Sequence, residues 1–239
     1  VNVQPRTETR HLSTTEFDHW WNRSGPWVEP ANQRRGGESG VQLLKSRDPN
    51  CPPLYCKRQT GHIYRSLVHP FGRPTVLREL QAYRAFARLG IRTPNLVYCS
   101  ARRHLGDWQG LLVTEALDGF ISLDQWYTKQ HNPELVTNLL HQLAATLARL
   151  HLARWQHGCC YAKHIFVKEK VSESGLTELE IAVLDLEKSR QRLRARDASR
   201  HDLGQFSRHR GSMPEADLER LRQAYQQALQ RTAGEKLCR

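Results

Sequence analysis

The sequence predicts an α+β chain in two parts, a first half built on an antiparallel sheet and a second half that is mainly helical. Three observations predict it. Before residue 117, short β-prone runs are bounded by Gly, Pro, Asn and Asp. After it, Leu135, Leu139, Leu143, Leu147 and Leu150 recur at helical spacing. Between them, Leu117-Asp118-Gly119 supplies the natural break, so the two parts are read as 1–117 and 118–239.

The elements follow in order. Ser13-Thr14-Thr15-Glu16 has the form of a capping box and opens a short helix through Trp21. Pro26 and Pro30 then break the chain, and residues 36–40 read as a glycine-rich turn. Residues 41–45 and 54–58 are strand candidates on either side of a Pro/Asn/Asp turn, hence a hairpin. Leu77, Leu80, Tyr83, Phe86 and Ala87 predict a helix over 75–89, with Gly90 as its stop. Residues 96–99 and 111–115 form two more strands. Pro133 opens a long helix to about residue 153. Two apolar strands, 165–167 and 181–184, flank a polar linker at 172–175. A last helix starts near Pro214 and carries Leu218, Leu221, Tyr225 and Leu229.

Composition narrows the partners. The chain has 239 residues, 36 Lys+Arg against 24 Asp+Glu and a net charge of +12. Such an excess favours an anionic partner: a phosphorylated substrate, an anionic membrane surface or nucleic acid. No nucleic-acid motif is present, which leaves nucleic acid the least favoured. The first ten residues are polar, and no window has the roughly 20 apolar residues of a membrane span, so a cytoplasmic protein is expected. The six cysteines include no CxxC pair, which argues against a zinc site or a disulfide framework.

One stretch carries chemistry. It is His157-Gly158-Cys159-Cys160-Tyr161-Ala162-Lys163-His164-Ile165-Phe166-Val167, followed by Val183-Leu184-Asp185-Leu186-Glu187. Protein-kinase catalytic loops read His-Arg-Asp, four residues, Asn, then an apolar strand. The Asp takes the proton of the attacking hydroxyl and the Asn holds a magnesium ion. Here the His, the spacing and the strand are kept, while Cys159 stands at the Asp and His164 at the Asn. Other parts of a phosphotransfer site follow in kinase order. Gly36, Gly37 and Gly40 offer backbone N–H groups that could cover phosphates. Lys57 lies in an apolar strand and would hold the phosphates, with Glu79 on the next helix to orient it. Residues 111–117 resemble a hinge strand whose backbone, at Glu115 and Leu117, would meet the adenine edge. Asp185, at a strand end, is suited to Mg²⁺. Asp202 would brace the catalytic loop from a later helix. Taken singly, each has an ordinary alternative: a solvated Lys, an exposed Glu, a tight turn, a buried strand, a capping Asp.

Over residues 33–206 the sequence resembles the lipopolysaccharide core heptose and Kdo kinases, and among them the InaA-type members. Those enzymes carry His-Arg-Asp-Cys-Tyr-x-x-His-Phe, matched here by His157, Cys160, Tyr161 and His164, with Asp185-Leu186 and Asp202-Leu203-Gly204 beyond. The His at the Asn position is therefore a trait of the family. The resemblance implies a two-lobed protein-kinase-like fold, ATP with Mg²⁺ held by Asp185 and His164, and phosphorylation of a core-sugar hydroxyl. It also implies an anionic acceptor and peripheral contact with the inner face of the cytoplasmic membrane. The departure is Gly158-Cys159 in place of Arg-Asp. A thiol is a poor proton acceptor unless ionised, and Lys163 with the basic loop could lower its pKa. A slow kinase, an enzyme with a relocated base and a nucleotide-binding pseudokinase in a regulatory or envelope-stress role are all compatible with Cys159. Heptose, Kdo, protein tyrosine and no acceptor at all stay open. Arg190, Arg192, Arg194, Arg196 and Arg200 precede Asp202 and are expected to face a polyanionic acceptor.

Overall fold

The structure, a computed structural model, describes residues 14–34, 37–45, 51–171 and 177–237. Two compact units divide the chain, one of Val1–Leu77 with Val97–Thr114 and one of Arg78–Leu96 with Glu115–Arg239.

The first unit holds helix α1 (Thr14–Asn22) and strands β1 (Trp27–Arg34), β2 (Gly37–Leu44), β3 (Leu54–Thr60), β4 (Ile63–Tyr64) and β5 (Arg73–Pro74). It also holds the start of α2 (Thr75–Arg88), and nearly all of β6 (Leu96–His104) and β7 (Asp107–Glu115). Five strands form one sheet in the order β1-β2-β3-β7-β6. The expected hairpin of 41–45 and 54–58 is present and longer, with unbroken antiparallel register from Glu38↔Thr60 to Leu44↔Leu54. Along β2, Gly40, Gln42 and Leu44 are buried and their neighbours are not, the period-2 signature of a half-buried strand. Leu44, Cys56, Tyr98, Leu111 and Val113 pack with Phe17 of α1 as the core of this unit. Strands β6 and β7 join through Leu105 and Gly106, both at positive φ, as a two-residue hairpin turn requires.

Two expectations are corrected here. The chain is not broken at Pro30, which lies inside β1. That strand is at the sheet edge and its register slips between Trp27 and Glu29 and again between Glu29 and Asn32, the setting that tolerates a proline. Gly37 and Gly40 are not turn residues but strand residues of β2. Gly37 pairs with Arg34, and Gly40 lies so close to Ala31 that a Cβ would meet its backbone at 2.8 Å. Gly36 and Ser13 lie outside the described residues, as does the 172–175 linker.

The second unit contains the rest of α2, β8 (Ile121–Ser122), α3 (Leu123–Trp126), α4 (Pro133–Leu152), β9 (Trp155–Gln156), β10 (Ile165–Val171), β11 (Thr177–Val183), β12 (Arg190–Gln191), α5 (Ala195–Arg208) and α6 (Glu215–Leu237). Asn132 caps α4 by accepting the Leu135 N–H, and Pro133 takes the first turn, where its missing N–H costs nothing. The buried face of α4, Leu139, Leu143 and Leu147 among others, packs with Leu218, Leu221 and Tyr225 of α6 and Phe206 of α5. Strands β10 and β11 pair from Ile165↔Val183 to Val171↔Thr177, and β8 adds to β10.

The helical unit takes up the chain again at Glu115, and most of α2, with Glu79, groups with it rather than with the sheet. The cause is packing at its C-terminal end. Phe86 is buried edge-on to Trp155 and beside His157, and beyond the helix Arg92 bridges to Ala182 while its carbonyl accepts the Val183 N–H at 3.0 Å.

Candidate active site

Asp202 of α5 is the anchor of the loop. Its side chain is 0% exposed, and its oxygens accept the His157 N–H at 2.6 Å, the Gly158 N–H at 3.0 Å and the His151 Nε2 at 3.2 Å. The ring Nδ1 of His201 lies 3.2 Å from its other face. Burial alone would raise the pKa of this carboxyl. The hydrogen bond and charge of His151, with the Gly158 N–H, outweigh burial and hold it below the ordinary value. His151 is itself fixed by Tyr225 Oη at 2.8 Å, and Tyr225 bonds Ser199. Ser189 Oγ donates to the His157 carbonyl at 2.7 Å, so both backbone ends of His157 are held. Burial keeps His157 neutral, its pKa lowered despite the nearby carboxylates.

Gly158 has φ +87, and a Cβ there would fall 2.5 Å from the Lys188 carbonyl oxygen. An L-residue, such as the Arg of the kinase motif, cannot keep this backbone without strain.

Past that glycine, three predicted site residues come together. The Cys159 carbonyl accepts His164 Nδ1–H at 2.9 Å, and the same nitrogen lies 3.7 Å from Asp185 Oδ2. A carbonyl only accepts, so the proton is on Nδ1 and the lone pair of His164 is on Nε2. Tyr161 stacks on the His164 ring, with centroids 5.1 Å apart. The Leu184 N–H bonds the His164 carbonyl at 2.8 Å, which ties the end of β11 to the end of the loop. Asp185 follows at φ 62, ψ 66, a left-handed conformation that Asp tolerates better than most side chains, and its side chain stays 35% exposed.

Cys159 is 3% exposed, with Asp185 and Lys188 both reaching its thiol. Burial, followed by the Asp185 charge, pushes the thiol up to about 11, against the pull of Lys188. The expected lowering does not occur: Lys163 is exposed, and the cation that faces the sulfur is outweighed. At neutral pH Cys159 is a thiol, not a thiolate base.

Asp185 can serve a magnesium ion. Mg²⁺ commonly takes one or two carboxylates and completes its shell with water and substrate phosphates. Among the described residues, no group of three or more His, Cys, Asp and Glu forms a metal cage. One open carboxylate beside an oriented imidazole fits that partial kind of site.

The remaining predicted residues are distributed as follows. Lys57 is half-buried on β3, opposite Val41 of β2. Glu79 is buried on α2. Glu115 has its side chain bonded to Asn95 Nδ2 at 2.7 Å, and its backbone N–H is used by the Asn95 carbonyl, so the amide expected to meet adenine is already engaged. The Leu117 carbonyl accepts from Phe120. Of the basic stretch, Arg190, Arg194, Arg196 and Arg200 are exposed, and α5 begins within it.

His151, Ser189 and Tyr225 were not singled out by sequence as part of the loop frame. Only His151 left a signal, a polar residue on the leucine face of a long helix. Nothing in one sequence distinguishes Ser189 from any other loop serine.

Comparison with known proteins follows the same lines. The model of the lipopolysaccharide kinase (Kdo/WaaP) family matches residues 18–225. Protein InaA of Escherichia coli (strain K12) is 40% identical over 215 residues, which is 88% of this chain and 95% of that protein. Among solved structures, WaaP in complex with acyl carrier protein superposes with a TM-score of 0.66 at 18% identity, over 88% of this chain and 82% of that one. At that identity the likeness speaks for the fold, which is protein-kinase-like.

Proposed function

This chain belongs to the lipopolysaccharide kinase (Kdo/WaaP) family, and from that premise we propose that it binds ATP with Mg²⁺ and transfers a phosphoryl group to a hydroxyl of the lipopolysaccharide core. The observation that supports this most is the geometry of His164, whose Nδ1 lies between the Cys159 carbonyl and the Asp185 carboxylate, 2.9 and 3.7 Å away. A hydrogen-bonded ring nitrogen with the other nitrogen free is the arrangement that orients a histidine toward a metal. In this reading Asp185 holds the ion and His164 assists it. Lys57 holds the nucleotide phosphates and Glu79 keeps its amine in place. In the same reading the β1–β2 hairpin, with Gly37 and Gly40, would cover the phosphates. The bound ion supplies charge stabilisation to the transferring group. The exposed arginines of 190–200 receive the anionic acceptor.

Cys159 does not act as the base. Its neutral thiol leaves the acceptor proton to water or to the phosphoryl oxygens, which forgoes the ~10²–10⁴-fold that a positioned base contributes. That same thiol, at about 11, is the observation that favours a second reading, a nucleotide-binding pseudokinase. Labelled ATP with Mg²⁺, incubated with and without purified lipopolysaccharide core, separates the two. Under the first reading the wild type labels the core slowly, and Cys159→Asp raises the rate by ~10²-fold or more. ATP binding with no transfer by either protein selects the second reading. Absence of nucleotide binding removes both.

A further inference from the structure

Between β4 and β5 the chain makes two tight turns in succession. Ser66 and His69 exchange backbone hydrogen bonds of 3.2 and 3.0 Å, and Gly72 N–H reaches the His69 carbonyl at 3.1 Å. Ser66 Oγ also accepts the His69 N–H at 3.2 Å. The central positions of the first turn are Leu67 and Val68, and those of the second are Pro70 and Phe71. Central turn positions point to water and are normally Gly, Asn, Asp, Ser or Pro. Here Leu67 is fully exposed, Phe71 is 89% exposed and Val68 81%. A large apolar residue exposed singly needs no explanation, but three at the tip of one ordered ribbon do.

The ribbon is rigidly based. Ile63 pairs with Pro74 and Tyr64 with Arg73. Below them His62 Nδ1 bonds Thr75 Oγ1 at 2.8 Å, and Thr75 in turn bonds Gln59 at 2.6 Å. Gly72 has φ +88, and a Cβ there would strike Ile63 Cδ1 at 2.6 Å, so the second turn depends on glycine. The apolar side chains are thus held outward by the backbone.

Charge completes the pattern. From Gly61 to Arg78 the sequence has Arg65, Arg73 and Arg78, with His62 and His69, and no Asp or Glu. Arg65 is exposed beside the tip, and Arg73 Nη1 lies 3.2 Å from His69 Nε2.

We propose that the 66–72 tip is a membrane-docking element, with Leu67, Val68 and Phe71 entering the acyl-chain boundary of an anionic bilayer while Arg65 and Arg73 stay among the headgroups. Apolar insertion and anionic-lipid attraction reinforce one another in such elements, and neither suffices alone. A lipid surface fits better than a protein partner because a stable protein interface uses roughly 20–30 residues a side, whereas the tip offers three. The element would bring a soluble phosphotransferase to a lipid-linked substrate, but it does not depend on phosphotransfer, and its test reads binding alone.

The experiment is sedimentation of the full chain with vesicles of phosphatidylcholine, with and without phosphatidylglycerol. The wild type is expected to bind the anionic vesicles. The double variant Leu67→Ser/Phe71→Ser should bind them at least about tenfold more weakly, since two apolar side chains no longer leave water. Circular dichroism should be unchanged, because neither side chain is packed. Independently, Phe71→Trp should gain blue-shifted emission on anionic vesicles and be quenched by acyl-chain-brominated lipid. The proposal falls if the wild type does not bind, if the double variant binds as the wild type does, or if the new tryptophan is not quenched. It falls equally if light scattering shows a wild-type dimer that the double variant loses, since the tip would then cover a second copy of the chain.

Discussion

Asp202 and Asp185 are two carboxylates on either side of one loop, and their surroundings differ in kind. Asp202 has no exposed surface, and its oxygens are taken by two backbone N–H groups and by His151, with His201 alongside. Asp185 is one-third exposed, on a left-handed residue, facing an imidazole at 3.7 Å and a neutral thiol. A carboxylate whose acceptor capacity is filled by the protein can only hold the protein together. One left with open oxygens at a strand end can hold something else. The frame of this kinase-like loop is therefore complete at its Asp202 end and modified at its Cys159 end.

The largest expected effect breaks the comparison on the structural side. Asp202→Ala leaves the His157 and Gly158 N–H groups and the His151 ring buried without acceptors, which should cost about 3–5 kcal/mol of stability. Chemical denaturation checks it, as a fall in midpoint with little change of slope. The wild-type carboxyl, with its pKa held below the ordinary 3.8, contributes stability that is present above that value and lost as pH falls through the folded one. Acid unfolding of the wild type should therefore be steeper than that of Asp202→Asn. A variant as stable as the wild type at neutral pH would mean the loop is held by something else.

Most of this architecture was legible in the sequence, for reasons that differ by element. Helix α4 was readable because leucines at helical spacing follow a proline at its first turn, and the structure ends it within a residue of the expectation. Strand β1 was not readable, because two prolines in nine residues look like a break, and only the sheet edge and its register slips make Pro30 acceptable. At the loop, residue order alone brought out Cys159, His164 and Asp185. The Gly158 backbone at positive φ was invisible, since glycine marks a freedom without saying whether it is used. The thiol's upward shift was missed because it depends on burial and on which cation faces the sulfur, neither of which a spacing encodes.

A smaller effect sharpens the comparison on the alkaline side. The Cys159 thiol goes from 9.0 to about 11 on folding, first through burial and then through the Asp185 charge. The folded state keeps a proton that the unfolded chain loses above pH 9, so this contribution is intact below pH 9 and disappears as pH rises toward 11. Two pKa units correspond to about 2–3 kcal/mol. Cys160 is raised in the same direction by burial and by Asp202, so the measurement compares wild type with Cys159→Ser, in which Cys160 still titrates. The melting temperature of the wild type should fall more than that of the variant between pH 9 and 11. Parallel curves would mean that the sulfur is reached by water.

The smallest structural effect should belong to the residue with the largest proposed functional one. Asp185→Asn keeps the shape of the side chain, and Asn accepts the left-handed conformation at least as readily as Asp. The side chain is partly exposed and caps no backbone N–H of the short 3-10 turn that follows it. Stability should therefore change by no more than about 0.5 kcal/mol. Binding of ATP with Mg²⁺, measured by titration calorimetry, should weaken by on the order of tenfold or more, as loss of a metal ligand does. Binding of ATP in the presence of a chelator should hardly change, or should improve slightly as a negative charge is removed from the approach of the phosphates. Equal losses with and without Mg²⁺ would show that Asp185 shapes the pocket rather than holding the ion. A large loss of stability would place it with Asp202, as one more carboxylate spent on the frame.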